Sequence, residues 1–343
     1  MLRKSLFVLL ALFSVLVLSL PALAQDSKST NVAEGLSFPR GIAFDADGNL
    51  YVAESGLGGE QKLLVTDDVT ITGGLTGQIT KIAPDGTTST VVGGLPSLFN
   101  PNESAAVGVY RAVPTADSLW LAFTDDTSLT LFSDSIVEID LATSAVKHYI
   151  DLSAYEIANN PDGTDEILSN PADIAIGPDG TLYIVDAGAN TLYTWTEAGG
   201  LNVVHAWKDD PVPTSIVFAK DKSYYVSFLG TGLVPGAGHI EHWAADGSKI
   251  IETFANLTTP TDLLLTDAGD LYAVQIIVVG DQGPQPNSGS VVKVTADGAT
   301  PIIEGLNSPF GIAQDADGNL YVSLGAAFTE PGKGSIIKIP KPA

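Results

Sequence analysis

The sequence predicts an all-β protein, a six-bladed β-propeller in which the N-terminal strand completes the last blade. Three observations support this prediction: a hairpin unit recurs along the chain, a second hairpin follows most copies, and a strand that the C-terminus lacks stands at the N-terminus. No segment after residue 24 has a sustained helical period. Internal repeats of this kind indicate a repeat architecture built from one supersecondary unit.

The first hairpin of the unit has five clear copies. They are PRGIAFDADGNLYVAES, PADIAIGPDGTLYIVDA, PTSIVFAKDKSYYVSFL, PTDLLLTDAGDLYAVQI and PFGIAQDADGNLYVSLG, which begin at Pro39, Pro171, Pro213, Pro260 and Pro309. Each has an apolar run, a turn on Asp-Gly or a similar pair, and an aromatic strand, which is typical of a β-hairpin. VGVYRAVPTADSLWLAF from Val107 is a degraded sixth copy, placed by matching Trp120 to the aromatic residue of the others.

A second hairpin follows in most copies. Examples are GQITKIAPDGTTSTVVGGL from Gly77, GHIEHWAADGSKIIETFANL from Gly238 and GSVVKVTADGATPIIEGL from Gly289. Each unit therefore has four short antiparallel strands. Units of roughly 40 to 50 residues with four strands are typical of propeller blades.

The two ends of the chain complement each other. The last unit stops after its third strand, GSIIKIPKPA from Gly334, whereas VAEGL at residues 32–36 matches the fourth-strand sequence IIEGL at residues 302–306. We therefore expect the N-terminal strand to complete the last blade, with Val32 and Leu36 buried, and expect deletion of residues 31–36 to open the ring.

Residues 1–24 have the pattern of an export signal. Met1 to Lys4 are basic, residues 6–20 are almost wholly apolar, and Ala22-Leu23-Ala24 offers small residues for cleavage. We expect a secreted or periplasmic protein with a single domain at residues 25–343, and a membrane association only if the signal stays uncleaved. The chain has no cysteine, which excludes disulfides, thiolate chemistry and cysteine-ligated metal.

The chain is strongly acidic. Removal of residues 1–24 takes away two of the 16 basic residues and none of the 40 acidic ones, so the formal net charge falls from −24 to −26. Such a surface repels nucleic-acid backbones and anionic lipid headgroups, so we expect no nucleic-acid partner. We expect a monomer.

The repeats resemble NHL-type propeller repeats, whose PxGIAxDxDGNLYVAD pattern is followed closely at Pro39 and Pro309. The leader, the opening GLSFPRGIAFDADGNLYVAESG and the glycine-rich insert after it resemble the ScyD/ScyE-type secreted propellers over essentially the whole mature chain. That resemblance implies a fold and no established activity. In the gluconolactonase and senescence-marker lactonase propellers a Glu, an Asn and an Asp hold a divalent cation; here the Asp residues exist without a matching Glu and Asn.

The long insertions all fall in links that strand order places on one face, the upper one. They are residues 55–76, 94–106, 152–170, 229–237 and 276–288. Long loops on one end of a rigid scaffold are typical of a binding face. The four histidines fall on third or outermost strands, far from the axis, so a histidine-dependent mechanism has little support.

Two sets of polar residues are predicted to surround the upper mouth of a central channel. Residues at the starts of first strands are Arg40, Asp173, Ser215 and Asp262, and residues at the ends of second strands are Glu54, Asp186 and Gln275. Such a ring could bind a small polar ligand or a calcium-like divalent cation, with Asp173, Asp262 and Glu54 as the candidate metal ligands and no other cofactor indicated. We expect these carboxylates to keep contact with water and to prefer a cation or a polyhydroxylated ligand to an anion. A structural tie between blades is the alternative for Asp186.

The sequence favours a secreted, non-catalytic binding protein for a small molecule, glycan or protein partner, with no catalytic residue assigned. The first alternative is a metal-dependent hydrolase or lactonase at the channel mouth. The second is a structural envelope or matrix protein that needs no pocket. Asp173→Asn with Asp262→Asn is expected to weaken ligand binding while sparing the fold.

Overall fold

The computed structural model describes residues 29–66, 68–125 and 130–342, and they form an all-β propeller. The predicted export signal lies outside the described residues. One α-helix, α1 (Leu152–Asn159), and a single 3-10 turn at Thr231–Leu233 interrupt the strands of the described part of the chain. Among the described residues, no helix has the length and apolar character needed to cross a membrane.

The strands fall into six successive repeats. In chain order they are β1 (Thr30–Leu36), β2 (Pro39–Phe44), β3 (Leu50–Glu54), β4 (Gln61–Val65), β5 (Thr70–Ile82), β6 (Thr88–Asn100), β7 (Ala105–Pro114), β8 (Ser118–Phe123), β9 (Ser135–Asp140), β10 (Val146–Asp151), β11 (Pro171–Ile176), β12 (Leu182–Asp186), β13 (Thr191–Thr196), β14 (Gly200–Ala206), β15 (Pro213–Phe218), β16 (Tyr224–Phe228), β17 (Gly238–Trp243), β18 (Ile250–Leu257), β19 (Pro260–Leu265), β20 (Leu271–Gln275), β21 (Val279–Gly280), β22 (Gly283–Pro284), β23 (Gly289–Thr295), β24 (Gly298–Leu306), β25 (Ile312–Gln314), β26 (Leu320–Leu324) and β27 (Gly334–Ile339). The repeats begin at β2, β7, β11, β15, β19 and β25.

Four repeats form separate four-stranded sheets, and the first two do not. The separate sheets have the orders β11-β12-β13-β14, β15-β16-β17-β18, β19-β20-β23-β24 and β25-β26-β27-β1. Repeats one and two share a nine-stranded sheet because β6 runs on to Asn100 and pairs with β7, Ser97 opposite Gly108 and Asn100 opposite Ala105. The described residues thus show four separate four-stranded blades where the repeat count predicts six. The tight turn after Asn100 keeps the backbone pairing continuous across the repeat boundary.

The first strands of the repeats lie side by side around the axis. β2 contacts β7, β7 contacts β11, β11 contacts β15, β15 contacts β19, β19 contacts β25, and β25 contacts β2. Apolar side chains fill the space between neighbouring sheets, for example Ile136 and Ala122 of repeat two against Ile174 and Ile184 of repeat three. Burial between sheets replaces disulfides as the source of stability.

The N-terminal strand pairs with the third strand of the last repeat, as predicted. β1 runs antiparallel to β27, with Leu36 opposite Gly334. Leu36 and Ala33 are buried, whereas Val32 is only half-buried. The prediction that Val32 is buried is therefore wrong. A register shift between Asn31 and Ala33 places the side chain of Ala33, and not that of Val32, in the buried position.

The Asp-Gly hairpin turns are confirmed. At the first, Oδ1 of Asp45 accepts hydrogen bonds from the backbone N–H of Asp47 (2.9 Å) and of Asn49 (2.8 Å), and Gly48 has a φ of 80°. A side-chain oxygen that satisfies two backbone donors and a glycine at positive φ are the usual means of closing such a turn.

Candidate functional site

Three of the predicted residues meet at the centre of the ring. They start the first strands β11, β15 and β19, and Oγ of Ser215 lies 2.8 Å from Oδ2 of Asp173 and 2.9 Å from Oδ1 of Asp262. The backbone N–H of Ile216 donates to Asp173 (3.0 Å), and that of Ile312 donates to Asp262 (2.9 Å). Because equivalent positions of separate repeats touch, the starts of these strands lie at the same end of the ring.

A fourth residue of this cluster, Arg111 on β7, was not predicted. Its Nε lies 3.0 Å from Oδ1 of Asp173, and its Nη1 lies 2.9 Å from Oδ2 of Asp262. One guanidinium therefore bridges the two carboxylates, which reach it from different repeats. Arg111, Asp173, Ser215 and Asp262 are called the central cluster below.

The sequence did not predict Arg111 as a site residue because the hairpin of repeat two is one residue shorter than the others. Trp120 pairs with Val113, whereas Tyr183 pairs with Ala175. Counting back from the aromatic residue by the spacing of the clear repeats therefore leads to Tyr110, one position before Arg111. Repeat two also lacks the opening proline and the Asp-Gly turn that would have revealed the shift.

Two glycines allow close approach at the starts of first strands, Gly41 to the side chain of Arg111 and Gly311 to the backbone of repeat one. Gly41 and Gly311 occupy the slot of Asp173 in the first and last repeats. A Cβ at Gly41 would stand 2.5 Å from Cδ of Arg111, and a Cβ at Gly311 would stand 2.6 Å from the carbonyl oxygen of Arg40. Both positions need a residue without a side chain because the arginine and the neighbouring backbone fill that space.

The two carboxylates of the central cluster are buried, which corrects the expectation that they stay in contact with water, whereas the side chain of Arg111 is 14% exposed. Asp173 and Asp262 are each 2% exposed. Burial alone would lower the pKa of Arg111, but Asp173 and Asp262 hold that pKa above its ordinary value. Burial raises the pKa of Asp173 to about 6, while Arg111 lowers it and the like charge of Asp262 raises it. The predicted preference for a cation is weakened because the carboxylates already face a cation.

Arg40 lies beside the central cluster and not within it. Its guanidinium carbon stands 4.5 Å from the ring centre of Tyr110 and 5.0 Å from that of Phe310. Its Nη2 donates to the carbonyl oxygen of Ala106 (2.8 Å), and the residue is 4% exposed. Arg40 is therefore held by two aromatic faces and one carbonyl, which leaves it little freedom to meet a ligand.

The predicted residues at the ends of second strands form hydrogen bonds with the chain segments that lead into their own repeats. Each has a side-chain oxygen that accepts a backbone N–H from the link just before the repeat, and the three pairs are Glu54 with Ser37 (2.7 Å), Asp186 with Asn170 (2.7 Å) and Gln275 with Thr258 (2.5 Å). Among the described residues, none of their hydrogen bonds reaches the central cluster. The two predicted sets do not form one hydrogen-bonded site, and the structural alternative for Asp186 fits its contacts.

A polar cavity of about 260 Å³ lies beside Glu54, between β1 and the first repeat. Oε1 of Glu54 accepts from Gln78 (2.8 Å) and Thr80 (2.5 Å), and Glu34 and Thr88 also line the cavity. Glu54, Gln78 and Thr80 satisfy one another, and Glu34 accepts a hydrogen bond from Asn31. Within the described ranges, no group of three or more histidine, aspartate and glutamate side chains could hold a metal ion.

The upper face is formed by the links between second and third strands and by the links between repeats. In the described chain these links are residues 37–38, 55–66, 68–77, 101–104, 124–125, 130–134, 152–170, 187–190, 207–212, 229–237, 258–259, 276–288, 307–308 and 325–333. The two kinds of link bond to each other, as Ala187 N–H does to the carbonyl of Asn170 (2.9 Å). Phe328 N–H donates to the carbonyl of Glu103 (3.1 Å), which joins the last repeat to the link between the first two.

Exposed apolar side chains are concentrated on this face. Fifteen large apolar residues of the described chain are exposed, and nine of them lie in upper-face links: Leu57, Val65, Leu75, Leu131, Ile157, Ile167, Leu233, Val234 and Phe328. The same links expose nine carboxylates, those of Glu60, Asp68, Glu103, Asp165, Glu166, Asp209, Asp210, Asp281 and Glu330, against the three lysines Lys62, Lys208 and Lys333. The upper face is therefore both apolar and negatively charged.

Comparison with known proteins identifies the fold. No family model matches the chain, and no curated protein matches it. The solved structures include a gluconolactonase from Xanthomonas campestris, with a TM-score of 0.58 at 13% identity over 92% of this chain and 91% of that one. The calcium-binding protein regucalcin from Agrobacterium tumefaciens has a TM-score of 0.56 at 14% identity, covering 91% and 92%.

A third similar structure is virginiamycin B lyase from Staphylococcus aureus, with a TM-score of 0.50 at 16% identity over 90% of this chain and 97% of that one. At such identities these likenesses show the β-propeller fold alone. Function must therefore be argued from the residues of this chain.

Proposed function

We propose that this protein is an extracytoplasmic, non-catalytic, six-bladed propeller of the ScyD/ScyE type that binds a cationic, partly apolar protein on its upper face. The closed sequence of contacts among six first strands supports the blade count, with repeats one and two counted as two blades joined by the β6–β7 pairing. The export-signal pattern of residues 1–24 supports the location.

The observation that carries the proposal is the concentration of exposed apolar side chains on the upper face. Of the six exposed apolar residues elsewhere, five are scattered over three outermost strands and one lies on a first strand: Val146 and Tyr149 on β10, Val203 on β14, Ile250 and Ile251 on β18, and Ile176 on β11. Apolar residues that share one face rimmed by charges are typical of interaction surfaces.

The charge of the face favours a basic partner. Nine exposed carboxylates against three lysines would repel an acidic protein and attract a cationic one. A protein is favoured over a small ligand because the central cluster already pairs its own charges and Arg40 is covered by two rings.

The test measures binding of a labelled peptide of alternating lysine and leucine, with a glutamate and leucine peptide as the charge-reversed probe. We expect the wild-type protein to bind only the lysine peptide. Leu75→Ser with Val234→Ser should weaken that binding roughly tenfold or more because each exposed side chain loses apolar contact with the probe. Fluorescence anisotropy at fixed ionic strength gives both affinities.

Val203→Ser with Ile251→Ser is the control, since both side chains are also exposed, at 41% and 52%, but lie on outermost strands. It should bind the lysine peptide as the wild type does. Equal losses in the two double variants, or equal binding of both peptides, would show that the upper face is not the recognition surface.

A metal-dependent hydrolase or lactonase is the second candidate. The approach of Asp173 and Asp262 to a common hydroxyl favours it, as does the similarity in fold to a gluconolactonase and to a calcium-binding protein. The guanidinium of Arg111 stands against it, because it occupies the place where a cation would neutralise these carboxylates.

Calcium distinguishes the two candidates. If the central cluster is structural, millimolar calcium should leave the melting temperature unchanged, and hydrolysis of glucono-δ-lactone should not exceed the buffer rate. If calcium instead raises the melting temperature of the wild type and not of Asp173→Asn, and supports hydrolysis only in the wild type, the hydrolase is correct and the non-catalytic proposal fails.

A further inference from the structure

The link between repeats two and three contains the helix α1, which is anchored by an acid. Asp151 caps its N-terminus by accepting from the N–H of Ala154 (2.8 Å). Leu152 and Glu156, one turn apart, are the buried residues of the helix, whereas Ile157 is 71% exposed. Glutamate thus stands where the second apolar anchor of a short surface helix is expected.

The carboxyl of Glu156 is incompletely satisfied where it lies. The residue is 1% exposed, its Oε1 has no hydrogen-bond partner, and the hydroxyl of Tyr193 on β13 reaches Oε2 only at 3.5 Å. The titratable groups that face it are Asp162 of the same link, Asp186 of β12 and Tyr193. An ionised carboxylate in this position would lack both a cation and adequate donors.

A second buried acid lies at the other end of the helix. Asp134 is 1% exposed and accepts from the N–H of Asp125 (2.8 Å) and the hydroxyl of Ser153 (3.1 Å), the second residue of α1. Its carbonyl oxygen accepts from the N–H of Leu152 (3.1 Å). The charged groups facing it are Asp125 and Asp186, and its ionisable neighbours also include Tyr149.

None of the ion pairs found in the described parts of the chain involves Asp134, Glu156, Asp162 or Asp186. Four buried carboxyl groups therefore share one region without a neutralising base. Protons are the remaining means of removing their charge.

We propose that α1 is a proton-operated latch: it docks between the sheets of repeats two and three while Glu156 and Asp134 hold protons, and its docking weakens as they ionise. Ile157 belongs to the exposed apolar residues of the upper face, so release of the helix would change that face. The latch does not depend on the proposed binding function.

The electrostatics agree with this geometry and set the pH window. Burial raises the pKa of Asp134 to about 8, with Asp186 and Asp125 adding to the increase, and burial with Asp162 and Asp186 raises that of Glu156 to about 7. In the docked helix Asp134 and Glu156 therefore keep their protons up to about neutral pH. In the released helix the same carboxyls, now exposed to water, would lose their protons near pH 4. Docking is strongest below that pH, weakens as pH rises, and stops weakening above about pH 8.

Hydrogen exchange measured by mass spectrometry tests the latch on the whole protein. After correction for the intrinsic exchange rate, protection of the amides of residues 152–160 should fall at least about tenfold between pH 5 and pH 9, since each acid with a raised pKa contributes up to tenfold per pH unit. Glu156→Gln with Asp134→Asn imitates the protonated state and should keep the pH 5 protection at pH 9.

Glu166→Gln is the control because Glu166 lies exposed on the same link, and its protection should follow that of the wild type at both pH values. Glu156→Gln and Asp134→Asn made singly should each remove part of the pH dependence, which keeps the test decisive if the double variant folds poorly. Protection that does not change with pH in the wild type, or that falls equally in the amide variants, overturns the proposal.

Discussion

Replacement of Arg111 by methionine is expected to lower the free energy of unfolding by about 3–5 kcal/mol, because it leaves two buried carboxylates without their cation. Asp173 and Asp262, each 2% exposed, would lose the guanidinium that now lies within 3.0 Å of both. Chemical denaturation at neutral pH measures the loss. The deficit should be smaller at pH 5 than at pH 8, since Asp173, whose pKa burial raises to about 6, can then take up a proton.

Two further variants decide whether the charge itself is responsible. Lys220→Met removes an ion pair with Asp267 in which both side chains are exposed, and its effect should be close to zero. Arg111→Met combined with Asp173→Asn and Asp262→Asn removes the unpaired charges, keeps an acceptor oxygen for the backbone N–H groups of Ile216 and Ile312, and should recover much of the stability. A single variant as stable as the wild type would mean that the central cluster contributes nothing to the fold, and the hydrolase candidate would gain from it.

Deletion of residues 29–36 is expected to have the other large effect. β1 would no longer pair with β27, and the burial of Leu36 alone contributes about 1.5–3 kcal/mol. The freed edge of β27 carries Ile336 and Ile337, so the shortened protein should also associate through that edge. The melting temperature and the sedimentation profile report the two effects.

A chain that begins at Ser29 retains all of β1 and is the matched control, with an unchanged melting temperature expected. A synthetic peptide of residues 29–36 added to the shortened protein should restore stability in proportion to its concentration. An unchanged melting temperature after the deletion would refute the role of the N-terminal strand in joining the two ends of the chain.

The sequence alone determined the elements that depend on local patterns. The prolines, apolar runs and Asp-Gly turns specify hairpins because turn conformation and strand alternation are properties of neighbouring residues. The match of VAEGL with IIEGL identified the partner of β27 because equivalent strands bury equivalent side chains. The repeat spacing also showed that Asp173, Ser215 and Asp262 occupy equivalent positions.

Only the tertiary structure decided how those equivalent residues interact. Arg111 reaches Asp173 and Asp262 of two other repeats through space that Gly41 leaves open, and a one-residue shortening of its hairpin hid its position from the repeat alignment. The burial of Asp173, Ser215 and Asp262 and the joining of repeats one and two by β6 and β7 likewise depend on how sheets pack around the axis. Charge pairing and burial depend on residues that are far apart in sequence, so a local sequence pattern cannot predict them.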